Sequence, residues 1–182
     1  PHAPFKVHPD NDPMVVQLLT ATPEALLVLC EGGSPALGKL LYKRLAGVLA
    51  EHGIDANQRI RRLPHMSRKS FLSLNYCCDL MVDCLHWSGG NTSLDALTAK
   101  LPVVTTAGTL MRGRQSASML QALGCDELVC QDWQAMVEKA TQLATDKNYR
   151  QQMSKRIGEN QGALFNRTEG PEQLLRIIRE LS

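Results

Sequence analysis

The chain has 182 residues, with 20 lysines and arginines against 18 aspartates and glutamates and a formal net charge of +2. That length buries one core without disulfide or metal staples, and the near-balance of charge argues against a dedicated nucleic-acid surface, which would cluster positive side chains. No apolar run reaches membrane-spanning length and no signal-peptide core opens the chain, so a cytoplasmic protein with no membrane contact is expected; it begins at Pro1 and not Met, which reads as a piece of something longer.

Residues 5–10 (F-K-V-H-P-D) place Lys6 in a strand-like context just before a proline turn, and by itself this lysine reads as solvated. Residues 25–30 (A-L-L-V-L-C) form a short apolar run expected to be a buried strand. The next segment, G-S-P-A-L-G-K-L at 33–40, imitates a phosphate-wrapping P-loop ending in Lys39. It fails at Leu40, where a Ser or Thr must ligate magnesium. Residues 37–52 carry Leu40, Leu41, Leu45, Val48 and Leu49 on one helical face, closed by Gly53.

A weaker strand is expected at 59–63, inside a basic cluster of Arg61, Arg62, Arg68 and Lys69 that reads as a solvated face. Ser67 should cap a helix through Cys77. Strands follow at 80–84, 102–106 and 127–130, with helices at 91–100 and at 112–123, the latter closed by Gly124. From Asp132 onward the pattern is helical, with Trp133 packing on a helix face and breaks expected near 146–148, 164–166 and Pro171. Strand and helix in alternation give an α/β fold, a doubly wound parallel sheet with a helical C-terminal extension. Ligands of such sheets bind beyond the carboxyl ends of the strands.

Residues 79–97 (D-L-M-V-D-C-L-H-W-S-G-G-N-T-S-L-D-A-L) hold the strongest functional signal. A strand runs into Ser88, Gly89 and Gly90, and a helix opens on Asn91 or Thr92. Its tip presents unpaired backbone amides and the positive end of the helix dipole to an anion. Glycines let a phosphate approach the backbone, and Asp95, one turn in, is placed to take ribose hydroxyls. His86 and Trp87 precede the glycines, and Arg112 and Arg114 flank Gly113 at another helix start where an anion could sit. The six cysteines, at 30, 77, 78, 84, 125 and 130, form no C-x-x-C pair and read as reduced buried thiols. Asn91 and Asn166 head N-x-S/T triplets that mean little without a secretory signal.

In order, the segments F-K-V-H-P-D, L-L-V-L-C-E-G, R-I-R-R-L-P-H-M-S-R, V-D-C-L-H-W-S-G-G-N-T-S-L-D-A-L, L-P-V-V-T-T-A-G-T-L-M-R-G-R and L-F-N resemble the C-terminal catalytic half of O-GlcNAc transferase and the SPINDLY-like bacterial glycosyltransferases. The resemblance implies a Rossmann-like donor-binding domain of a GT-B enzyme that transfers GlcNAc or a related hexose from a UDP-sugar to a protein Ser or Thr, with an Asn amide as the related alternative. It implies that Lys6 steadies charge on the leaving UDP. Gly89, Gly90, Asn91 and Thr92 would bind the phosphates, Asp95 the ribose, and His65, Met66 and Arg68 the uracil. No metal or other cofactor is expected beyond the donor itself. The family often carries His where this chain has Gly90 and Thr where it has Asn91, and Phe71 stands where some members stack a His on the base. An N-terminal GT-B domain and helical repeats would be the missing partners, without which the chain should not turn over. Two other classes are weighed beside this one: a P-loop-like nucleotide hydrolase, and a non-catalytic partner-binding module that retains the fold.

Overall fold

The computed structural model describes residues 3–165 and 168–181, so the triplet at Asn166 lies outside the described residues. The N-terminal segment is not strand-like. It forms two 3-10 turns, Pro4–Lys6 and Pro9–Asn11, each opened by a proline. The ring locks φ near the turn value and removes the N–H that a ladder would need. These turns lead into α1 (Asp12–Ala21), a helix that the sequence reading does not contain, with Pro13 in its first turn.

Then β1 (Leu27–Cys30) feeds α2 (Pro35–Glu51), and the short α3 (Ala56–Arg59) leads into β2 (Ile60–Leu63). The expected cap holds: Ser67 accepts from the Ser70 amide at 3.2 Å and opens α4 (Arg68–Cys77). Three further strands and two helices alternate as β3 (Met81–Val82), α5 (Asn91–Thr98), β4 (Val103–Thr106), α6 (Gln115–Ala122) and β5 (Val129–Cys130). Every ladder is parallel, with β1 on β2 and β4 between β3 and β5. Each pair is joined by a helical crossover, as parallel strands require.

Several boundaries differ from expectation, among them the strand expected at 127–130, whose first two residues lie in a 3-10 turn (Asp126–Leu128). Strand 80–84 contracts to Met81–Val82: the Met81 and Asp83 amides donate to the Pro102 and Val104 carbonyls, but the next amide on that side, Leu85, turns to the Asn11 side-chain oxygen (3.1 Å) and leaves the ladder. The helix expected from 112 starts at Gln115, after a 3-10 turn at Met111–Gly113. Pro171 breaks nothing: it sits in the first turn of α9 (Glu169–Glu180), where its missing N–H is no loss. The break near 146 is real, with Asp146 ending α7 (Trp133–Thr145) and capping α8 (Lys147–Asn160).

Two apolar clusters hold these elements. One joins β3 and β4 to α5–α8 through Leu97, Val103, Val104, Leu120, Leu143 and Ile157. The other packs Leu41, Leu45 and Leu49 of α2 on Val16, Leu19 and Ile60. Helix α1 serves both, since its Met14 lies in the first cluster and Val16 and Leu19 in the second. Trp133 packs against the first cluster, as expected. Among the described residues no helix is long and apolar enough to cross a membrane.

Candidate functional site

The loop between β3 and α5 is shaped by one buried carboxylate. Asp83 accepts from the Cys84 and Gly89 amides (both 2.9 Å) and from the Ser88 and Thr105 hydroxyls (2.7 and 2.8 Å). The Ser88 hydroxyl also takes the Ser116 amide at 2.9 Å, and the Ser116 and Ser93 hydroxyls meet at 2.7 Å. All of these side chains are buried. A buried polar network with its members satisfied is rigid, so residues 88–90 arrive at α5 in a set shape.

That helix opens without a side-chain cap, with Gly90 in the capping position. The Thr92 hydroxyl is buried without a hydrogen-bond partner among the described residues. An uncapped tip with a spare hydroxyl suits an anion. A Cβ on Gly90 would stand 2.7 Å from the Gln115 carboxamide oxygen, so Gln115 fills the space beside this glycine. The facing loop is tight as well. Gly108 donates to the Gly113 carbonyl at 2.9 Å, and the Ser88 amide donates to the Arg112 carbonyl at 2.8 Å.

Lys6 reaches this loop from far away in sequence. Its ammonium donates to the Ser88 carbonyl at 3.3 Å and lies 5.6 Å from the Trp87 ring centre. Trp87 also receives the edge of Phe5 (6.4 Å between centres) and the Arg112 guanidinium (5.9 Å). Lys6 and the glycine loop, separate in sequence, are therefore together in space. Asp95, buried in the second turn of α5, is held by Arg68 of α4 at 2.8 and 3.3 Å. Met66 and the exposed His65 occupy the loop that joins β2 to α4, next to Arg68.

A family profile described as "Glycosyl transferase family 41" matches residues 3–172. The chain belongs to that family. It is 38% identical over 88 residues, 48% of its length, to a UDP-N-acetylglucosamine--peptide N-acetylglucosaminyltransferase of Giardia intestinalis, and covers 6% of that protein. A probable SPINDLY enzyme of the same activity name from Solanum lycopersicum is 27% identical, over 78% of this chain and 15% of its own. Among solved structures, an O-GlcNAc transferase mutant from Thermobaculum terrenum superposes with a TM-score of 0.78 at 27% identity. That match takes in 88% of this chain and 31% of the other. The chain thus spans less than a third of the length of each of these relatives.

Within this family 41 chain the P-loop imitation has no phosphate loop. Residues 35–40 are already helical, so the stretch between Gly33 and Gly38 cannot wrap an anion, and Lys39 is exposed. The basic cluster is also not a uniform solvated face: Arg62 pairs with Glu31 and lies 5.1 Å from the Tyr42 ring centre, while Arg68 holds Asp95. Arg112 and Arg114 are both exposed. Of the cysteines, all six are free and Cys77 alone is exposed. Burial pushes the Cys84 thiol up to about 12.

Sequence reasoning overlooked Asp83, Thr105, Ser116, Gln115 and Asn11. In sequence Asp83 only ends the run expected as a strand at 80–84, because what it gathers, the Cys84, Ser88 and Gly89 groups of its own loop and the Thr105 hydroxyl of β4, is decided by how that loop folds.

Proposed function

We propose that this chain is the donor-binding half of a protein glycosyltransferase that uses UDP-GlcNAc or a related UDP-hexose. The observation that carries the reading is the meeting of the Lys6 ammonium with the Ser88 carbonyl beside the uncapped α5 tip and its unpartnered Thr92 hydroxyl. In this reading the amides at Gly90, Asn91 and Thr92 bind the diphosphate. Asp95, oriented by Arg68, accepts from the ribose hydroxyls, and the loop at His65 and Met66 lies along the uracil.

Transfer breaks the bond between the sugar C1 and the diphosphate oxygen while an acceptor Ser or Thr oxygen bonds to C1. Negative charge grows on the departing UDP. Donors fixed in advance at that oxygen stabilise the transition state more than the bound donor, which lowers the barrier. Lys6 and the helix tip supply them, so the diphosphate requires no metal ion. The base that takes the acceptor proton, and the residues that hold the acceptor protein, would lie outside these 182 residues. The free thiols support a cytoplasmic setting.

Thermal unfolding with UDP tests the proposal. Ligand at a hundredfold excess over Kd stabilises by about 2.7 kcal/mol, so millimolar UDP should raise Tm clearly. Lys6→Ala and Asp95→Ala should each shrink the rise. ATP or GTP with magnesium should give none, as the hydrolase alternative requires the opposite. A chain whose Tm ignores millimolar UDP overturns the reading.

A further inference from the structure

A second constellation lies beside the glycine loop and takes no part in the donor reading. His8 and Asp10, on the N-terminal turns, meet His86, which lies 76 positions from Asp10 in the chain. The His8 Nδ1 lies 3.2 Å from Asp10 Oδ1, and the His86 Nε2 lies 2.6 Å from Asp10 Oδ2. The two imidazole planes stand at 85° with centres 5.0 Å apart, so both rings edge toward the same carboxylate. The hydrogen bond from His86 holds the Asp10 carboxyl below its ordinary value.

The backbone beneath is pinned. Asn11 is buried; its amide donates to the His8 carbonyl at 2.8 Å and its oxygen accepts from the Leu85 amide at 3.1 Å. One side chain therefore ties the segment that bears His8 and Asp10 to the segment that bears His86. Arg44 adds a further tie, donating to the Val7 carbonyl at 2.8 Å and to Asp12 at 3.0 Å. Ligand segments held by other contacts form a site without having to be ordered by the metal.

We propose that His8, Asp10 and His86 form a binding site for a late first-row divalent cation of the zinc type. Two imidazoles and one carboxylate are the ligands such ions prefer, whereas magnesium and calcium favour oxygen alone. Zinc at its usual bond lengths of about 2.0–2.1 Å sets tetrahedral ligand atoms about 3.3 Å apart. Here one ligand atom from each residue lies within 4.8 Å of the other two, so no pair has to close by more than about 1.5 Å to reach that spacing. The two imidazoles already approach the carboxylate through its two oxygens, His8 Nδ1 at 3.2 Å from Oδ1 and His86 Nε2 at 2.6 Å from Oδ2. All three residues are exposed, which leaves an entry path and room for water in the remaining position. Lys6 precedes His8 by two residues and Ser88 follows His86 by two, so a bound ion clips together the two segments that bring Lys6 to the Ser88 carbonyl.

The test is calorimetric titration of zinc chloride into the 182-residue chain carrying Cys77→Ser, which removes the exposed thiol. One zinc per chain is expected, at least tenfold weaker in His8→Ala, His86→Ala and Asp10→Asn, with no heat from magnesium. Asp10→Asn preserves shape, and unchanged circular dichroism confirms that each variant is folded. Cobalt in place of zinc should give a visible spectrum without the intense sulfur charge-transfer band. No saturable zinc binding, binding that survives all three substitutions, or a cobalt complex showing that band overturns the proposal. Zinc alone is the probe, so failure here leaves the UDP reading standing, and the converse holds.

Discussion

Asp83 is the residue on which the shape of the glycine loop depends, because two amides and two hydroxyls converge on its carboxylate. Asp83→Ala strands several of those donors in the interior. A hydrogen bond to a charged group is worth about 1.5–3 kcal/mol, so the loss in urea-induced unfolding should reach at least about 3 kcal/mol. The glycines make a sharper comparison. A Cβ on Gly108 would meet the Gly113 backbone at 2.8–3.0 Å, whereas one on Gly90 meets only the end of the flexible Gln115 side chain. Gly108→Ala should therefore cost about 1–3 kcal/mol, and Gly90→Ala distinctly less. Equal losses in the two denaturation curves would contradict the packing described. The tip residues Gly89 to Thr92 were legible in sequence because a strand, a glycine pair and a helix start follow one another within a few residues. Asp83 was not, because its role depends on how its own loop folds back onto it and on the Thr105 hydroxyl of β4, which no periodicity or cap encodes.

Helices divide by what their apolar faces touch. Leu49 of α2 is 0% exposed, whereas Leu175 of α9 is 53% exposed. Leu49→Ala should lose about 2–5 kcal/mol, and Leu175→Ala should leave the denaturation midpoint nearly unchanged. Arg68 and Asp95 tie α4 to α5, yet the Arg68 side chain is 70% exposed, so Arg68→Ala should cost less than about 1 kcal/mol of stability. Most of these helices were readable from apolar spacing and caps: Ser67 opens α4, and Gly53 and Gly124, at φ of +71° and +64°, close α2 and α6. Helix α1 escaped because its apolar residues divide between two clusters and leave only a weak single-face pattern. The contraction of β3 was equally hidden, since an apolar run does not show where a side chain will draw the backbone out of its ladder.

For the molecule as a whole, buried thiols set an alkaline limit. Burial raises Cys30, Cys78, Cys84, Cys125 and Cys130, with Cys84 going from 9.0 to about 12. Between those values the unfolded chain releases protons that the folded chain keeps, so stability is full below the ordinary thiol value and falls as pH rises. Cys84 alone can account for about 4 kcal/mol across that window. Denaturation midpoints at about pH 8 and about pH 11 should differ accordingly, and Cys84→Ala should narrow the gap; a midpoint that stays level would refute this account. By itself the sequence determined the α/β alternation, the helix caps and the small-residue helix tip, because periodicity and capping act within a few residues. Only the tertiary structure decided that Lys6 lies on Ser88, 82 residues away, that Arg68 holds Asp95, and that His86 meets Asp10. Those meetings follow from how the crossovers close on the sheet, and no local pattern encodes where two distant side chains come to rest.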